Sequence, residues 1–291
     1  MPLMRNIHLL IIDPQNDFCD LPDDYLPLDP VSQRKSSPAL PVAGAHADML
    51  RLAQLIDRGG AGITDISLTL DSHHRLDIAH PGFWHAADKQ AVPPFTQISA
   101  AEVRAGKYLP HDAEALSRTL SYLDELERAG RYQLMVWPVH CEIGSWGQNV
   151  HADVRAAYNR WEDAARRIAA KLSKGANPWT EHYSAVKAEV PDPNDPDTQL
   201  NRGFIDTLAR ADQILIAGEA GSHCVKATTE HIVEHFGARN AEKLVLITDC
   251  ISPVNGFEAQ YQSFLQDMQA RGLRLAQSAE ILPELLANLH G

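Results

Sequence analysis

Cys224 sits in the stretch Leu215–Thr229, LIAGEAGSHCVKATT, and is the residue best placed to do covalent chemistry. The apolar, β-branched run Gln213–Ala217 predicts a buried strand, and Gly218 and Gly221 a tight turn. Ser222 then reads as the N-cap of a helix whose first turn holds Cys224. A helix start carries partial positive charge, which lowers a thiol pKa and favours the thiolate. Backbone N–H groups in the same turn can receive an oxyanion. A buried structural cysteine, the commoner fate of an unpaired Cys, is the competing assignment. A thiol nucleophile needs a base, and a carboxylate beside it needs a cation to stay ionised. Asp13, just past the apolar run Ile7–Ile12, is the candidate base, and Lys174 the candidate cation. Without Cys224 they would read as a loop-capping carboxylate and a solvated lysine.

Asp71, His73, His74, His80, His85 and His140 form a second group. Imidazoles with one carboxylate suit Zn²⁺, Fe²⁺ or Mn²⁺. Asp71 and His73 are two apart, so both leave a strand end in the same direction. A polar loop with adventitious histidines is the alternative, and His74 and His85 read as solvated or supporting residues. Phe18 and Trp137 flank these groups. Their faces suit a flat ring in a pocket, although each alone reads equally as a core aromatic.

Elements must bring these positions together. Strands are predicted over residues 7–12, 63–70, 133–137, 213–217, 243–248 and 273–276. Helices are predicted over residues 43–58, 112–129, 150–172, 204–209, from Cys224 onward, 257–270 and 279–289, with an irregular stretch at 86–110. Alternating strands and helices predict a three-layer α/β/α architecture with a mostly parallel central sheet. In such sheets ligand chemistry gathers at the carboxyl ends of the strands. Asp13, His140 and the Cys224 turn all follow predicted strands.

The totals set limits. The 291 residues carry 44% hydrophobic and 22% charged side chains, ordinary values for a soluble globular chain. A net charge of −12 disfavours nucleic acid and anionic membrane as partners. No apolar run reaches membrane-spanning length. The first apolar run ends at Asp13 rather than at small residues, so it reads as a core strand and not as a secretory signal. Cys19, Cys141, Cys224 and Cys250 show no disulfide framework, which suits a reducing cytoplasm. No repeat or linker divides the chain, so residues 1–291 read as one domain.

Together the segments resemble the nicotinamidase branch of the isochorismatase-like cysteine hydrolases. LLIIDPQNDFC at 9–19 looks like the family's first strand and Asp-x-Gln-x-Asp-Phe motif, and DSHHRLDIAH at 71–80 like its metal motif. WPVHC at 137–141, followed by GSWG, is similar to the nicotinamidase pattern. KGANPWTEHYSA at 174–185 and GEAGSHCVKAT at 218–228 resemble the Lys-Gly segment and the nucleophile turn. The resemblance implies a catalytic triad of Asp13, Lys174 and Cys224, and an oxyanion held by the N–H groups of Ala220 and Cys224. It places a cis peptide between Glu219 and Ala220. It implies a divalent metal (Zn, Fe or Mn) on Asp71, His73, His80 and His140, and ring contacts from Phe18 and Trp137. The activity implied is release of ammonia from a small amide through a thioester, with nicotinamide the leading substrate. A homo-oligomer is also implied.

The chain departs from the family in several places. Ser72 replaces an aromatic residue. One extra residue separates His73 from His80, so His85 is the fallback third imidazole. Glu219 is charged where an apolar residue is usual. Gly221–Ser222 replaces Thr–Asp, and extra segments lie at about 20–42, 86–130 and 150–172. These departures leave open another C–N bond, of carbamoyl or maleamate-like type, or a non-catalytic small-molecule-binding relative.

Overall fold

Every residue of IHLLII at 7–12 is buried, which requires a strand covered on both faces. It forms β1 (Ile7–Ile12), near the centre of the sheet. The structure is a computed structural model that describes residues 4–236 and 238–288. After β1 come α1 (Ala45–Gly59), β2 (Asp65–Asp71), β3 (Trp84–Ala86), β4 (Thr96–Ile98), α2 (Ala100–Arg104) and β5 (Tyr108–Pro110). Next are α3 (Leu116–Ala129), β6 (Leu134–Val136), α4 (Ala152–Ala165), β7 (Ala170–Lys174) and α5 (Arg202–Ala209). The chain closes with β8 (Gln213–Gly218), α6 (Cys224–Phe236), β9 (Leu244–Ile247), α7 (Glu258–Ala270), β10 (Arg274–Ala276) and α8 (Ser278–Asn288). The predicted end of the last helix, Leu289, lies outside the described residues. No helix among the described residues is long and apolar enough to cross a membrane.

The central sheet has six strands in the order β10-β9-β8-β1-β2-β7, and every pairing in it is parallel. Parallel neighbours require crossovers, and the helices supply them. In α1 the buried residues Met49, Leu52, Ala53 and Ile56 recur at helical spacing. This helix packs with α4 and α8, while α6 packs with α5 and α7. The α/β reading of the sequence therefore holds, with a sheet that is wholly parallel.

Two elements differ from the sequence reading. The predicted helix at 150–172 stops at Ala165, where Arg166 takes a left-handed conformation (φ 54°) and its N–H bonds back to Glu162. The chain then extends into β7, which pairs with β2 at the sheet edge. Lys174 is thus the last residue of a strand. The predicted strand at 133–137 shrinks to β6 and pairs antiparallel with β4, outside the central sheet. His140 therefore reaches the site on a loop instead of on a sheet strand. The stretch 86–110, read as irregular, holds β4, α2, β5 and the end of β3, with Ser99 closing a capping box on α2.

Candidate active site

Four adjacent strands end at one place. The C-terminal edge of β8-β1-β2-β7 delivers the Cys224 turn, Asp13, Asp71 and Lys174 in that order. Register fixes the pairing. Ile12 lies beside Gly218, and Asp71 beside Lys174. A Cβ on Gly218 (φ 117°) would lie 1.9 Å from the Ile12 carbonyl oxygen, so only glycine lets the nucleophile turn leave the sheet this close to β1.

Lys174 joins the groups. Its buried Nζ is 2.9 Å from Asp13 Oδ2 and 2.9 Å from Asp71 Oδ1. It donates to the His182 carbonyl at 3.0 Å and to Cys224 Sγ at 3.6 Å. Burial opposes its charge, but Asp13, Asp71 and the Cys224 sulfur outweigh that and push its pKa well above the usual range, so it stays an ammonium. Thr69 donates to Asp13 Oδ1 at 2.5 Å and accepts from the Asp13 N–H at 3.0 Å. Burial pushes the Asp13 carboxyl up, only partly offset by Lys174. That makes Asp13 a stronger base than a solvated aspartate.

Cys224 opens α6, but its thiol does not ionise as the helix-start argument expects. Burial pushes its pKa well above the usual range. Lys174 lowers it, while Asp13 and Asp71 raise it further. The helix end is too weak to replace lost hydration next to two carboxylates. Cys224 is a neutral thiol, and to act as a nucleophile it would have to pass its proton to a base such as Asp13. Ser222 is also used differently from an N-cap. Its hydroxyl accepts from the Val254 N–H at 3.1 Å and meets His223 Nδ1 at 2.9 Å. The Glu219–Ala220 peptide is cis. The N–H groups of Ala220 and Cys224 donate to no other described residue, which leaves both free for an incoming oxygen.

Asp71, His73 and His140 place ligand atoms within 4.8 Å of one another, all buried. His73 Nε2 is 3.0 Å and His140 Nε2 3.3 Å from Asp71 Oδ2. Each imidazole is aimed through its other nitrogen. His73 Nδ1 faces Asp77 Oδ2 at 3.3 Å, and His140 Nδ1 faces the Pro138 carbonyl at 2.8 Å. One carboxylate and two nitrogens, each backed by an oxygen, fit a divalent transition metal. Burial would empty His73 of its proton, yet Asp71 and Asp77 hold its pKa well above normal, so the site attracts positive charge. Burial likewise opposes ionisation of Asp71, and His73 and Lys174 overcome it. His80 lies alongside, its ring 5.2 Å from His73 and 5.3 Å from His140. Its Nε2 meets Nδ1 of His140 at 3.4 Å, outside the three-residue group. His85 is elsewhere, bonded to Lys89 with its ring tilted against His111 at 5.2 Å. Asp77→Asn should weaken metal affinity about 10- to 100-fold with the fold retained, as read by titration with a chromophoric chelator. Unchanged affinity would remove Asp77 from this role.

The motif around Asp13 does two further jobs. Gln15 grips the backbone of Asp71 with both ends of its amide, at 2.7 Å to the N–H and 2.7 Å to the carbonyl. Asp17 accepts from the Cys141 N–H at 2.7 Å and so anchors the loop carrying His140. Thr69 and Asp77 were not singled out from sequence, and Gln15 and Asp17 stood in the Asp-x-Gln-x-Asp-Phe motif with no role assigned to them. For Thr69 and Gln15 the signal is strand register, which appears only once β1 and β2 are paired, whereas Asp17 meets the loop at Cys141 and Asp77 lies four residues after His73. Trp137 is buried, donates to the Tyr183 hydroxyl at 3.0 Å and meets His223 edge-on at 5.0 Å. Phe18 meets His140 edge-on at 5.5 Å. The two aromatics thus flank the nucleophile turn and the metal-type cluster respectively.

No family model matches the sequence, and no curated protein matches it in sequence comparison. Solved structures do match. A nicotinamidase/pyrazinamidase from Acinetobacter baumanii aligns at 21% identity over 95% of this chain and 98% of its own, with a TM-score of 0.59. The yeast nicotinamidase bound to the inhibitor nicotinaldehyde aligns at 17% identity over 93% and 99%, with a TM-score of 0.58. A pyrazinamidase of Pyrococcus horikoshii in complex with zinc aligns at 17% over 94% and 99%, with a TM-score of 0.51. The chain therefore shares the α/β fold of these solved nicotinamidase and pyrazinamidase structures.

Proposed function

We propose that the protein is a metal-containing cysteine amidohydrolase that releases ammonia from a small flat amide, with nicotinamide the first candidate. The observation that carries this reading is Lys174, whose single ammonium touches the thiol, the base and the carboxylate of the metal-type cluster. A binding protein has no need of that convergence. In the reaction Asp13 takes the Sγ proton as sulfur attacks the amide carbonyl. The developing oxyanion is received by the N–H groups of Ala220 and Cys224. The Asp13 proton then goes to the departing nitrogen, ammonia leaves, and water activated by Asp13 hydrolyses the thioester. Lys174 keeps charge balanced throughout. A divalent ion on Asp71, His73 and His140 would supply a Lewis acid for a ring nitrogen or water. His80 is the adjoining imidazole. Burial, with His140 and His73, lowers its pKa to about 4, so it is neutral and suited to a supporting or ligating role.

The zinc-bound pyrazinamidase and the nicotinaldehyde-bound nicotinamidase support the metal and the substrate class respectively. An ammonia-release panel should contain nicotinamide, pyrazinamide, a carbamoyl compound and a maleamate. Turnover of the ring amides by metal-loaded protein is the expected result. Activity confined to the linear compounds in metal-free protein would favour another C–N hydrolase. The raised pKa of Asp13 sets the pH dependence. The base works only when ionised, so kcat/KM should fall on the acid side at a pH above the ordinary carboxylate range. Asp13→Ala should cost several orders of magnitude in rate. An acid limb at the ordinary aspartate position, or Asp13→Ala within a few-fold of wild type, would remove Asp13 from the base role.

A further inference from the structure

Glu219 is an acidic residue buried against the nucleophile turn, and the reaction above makes no use of it. Its side chain is fully buried, and the Asp48 carboxyl of α1 against it is nearly so, paired on its outer side with the partly exposed Arg51. Ser252 ties the two together. Its N–H donates to Glu219 Oε2 at 3.2 Å, and its hydroxyl donates to Asp48 Oδ2 at 2.6 Å. The Ser252 carbonyl accepts from the Gly221 N–H at 2.8 Å. The turn is closed from behind as well, because a Cβ on Gly221 would meet Tyr261 at 2.6 Å and Ile251 at 2.8 Å. The segment that presents Ala220 and Cys224 is therefore clipped to α1 through Glu219, Ser252 and Asp48.

We infer that Glu219 is a positioning residue, whose carboxyl, shared with Asp48 and Ser252, sets the turn that receives the oxyanion. The inference rests on the amidohydrolase reading above. Glu219 Oε1 receives no hydrogen bond from any described residue, and two carboxyls in contact away from water hold one proton between them. Burial, then Asp48, raises Glu219 well above the usual range, so Glu219 is the carboxyl that carries that proton. A glutamine offers the same neutral donor and acceptor. A leucine fills similar space and offers neither.

The test compares Glu219→Leu with Glu219→Gln in the full-length protein. Hydrogen–deuterium exchange is followed over residues 215–226, and kcat and KM are measured on the amide that wild type hydrolyses fastest. In Glu219→Leu, exchange in this segment should rise about tenfold. Its kcat should fall about 10- to 100-fold with KM within about twofold, as expected for a misplaced catalytic turn. Glu219→Gln should restore both to within about threefold of wild type. Wild-type exchange and kcat in Glu219→Leu would overturn the inference, as would equal losses in both variants. If Glu219→Leu does not fold, Ser252→Ala carries the test, because it removes only the hydroxyl bond to Asp48. Several-fold changes are expected there, and wild-type values would overturn the inference. If wild type hydrolyses no amide, the amidohydrolase reading fails, and the exchange data alone decide whether the clip exists.

Discussion

Cys224→Ala should abolish ammonia release, with turnover at least about 10⁴-fold below wild type. The fold should survive, because the sulfur is replaced by a smaller group beside a turn held by the Gly221 N–H on the Ser252 carbonyl and by the Val254 N–H on the Ser222 hydroxyl. Metal content should also be unchanged, since Cys224 is not among Asp71, His73 and His140. The measurement pairs an ammonia assay with circular dichroism and elemental analysis of the same preparation. Full turnover by a folded variant would refute the thioester route. Cys224→Ser is the stricter version. A hydroxyl fits, but Asp13 would have to deprotonate a far weaker acid, so little activity should return.

The second large effect belongs to Asp71→Ala, because this residue serves two centres at once. Oδ1 meets Lys174 and Oδ2 meets His73 and His140. Removing it takes the carboxylate from the group and leaves His73 and His140, with His80 alongside, which is too little for firm binding of a divalent metal. It also leaves Lys174 with Asp13 as its one carboxylate. The ammonium is still compensated, so the stability loss should stay below the ~3 kcal/mol typical of breaking a buried pair. Elemental analysis should show the metal lost, and turnover should fall by orders of magnitude even with metal added in excess. Wild-type metal content in this variant would show that the ligand set is wrong. Rescue by excess metal would show that the contact with Lys174 is dispensable.

The chemistry of the nucleophile segment is legible in sequence because its signals are local. A β-branched run, two glycines and a polar helix start together leave Cys224 few places to be. Asp13 is legible for the same reason, since an apolar strand stops dead at a carboxylate. Lys174 is harder. In β7 the residues Ala170, Lys171 and Ser173 are exposed and only Lys174 is buried, which is the pattern of an edge strand with little to bury. Such a strand, following a charged helix, reads as more helix until Arg166 is seen to cap it. The short β6 failed for a related reason. Three apolar residues suit a central strand or a small antiparallel pair equally well, and only the partner decides. Ionisation of Cys224 was misread because a helix start is visible in sequence, whereas the depth of burial is not. Thr69 acts through register and has no pattern of its own, Gln15 stands in a motif whose job shows only once β1 and β2 are paired, and Asp77 is one acid among several in a polar loop.

The position of β7 has a kinetic corollary. Among the described residues this strand hydrogen-bonds to a neighbouring strand on one side only, and its outer residues contact solvent. Margins of a sheet fray at lower free energy than its interior. Lys174 rides on the end of that margin, whereas Asp13 and the turn before Cys224 are anchored in the interior. Gentle heating or dilute urea would thus withdraw the ammonium while the remaining five strands persist, so inactivation would run ahead of the loss of ellipticity.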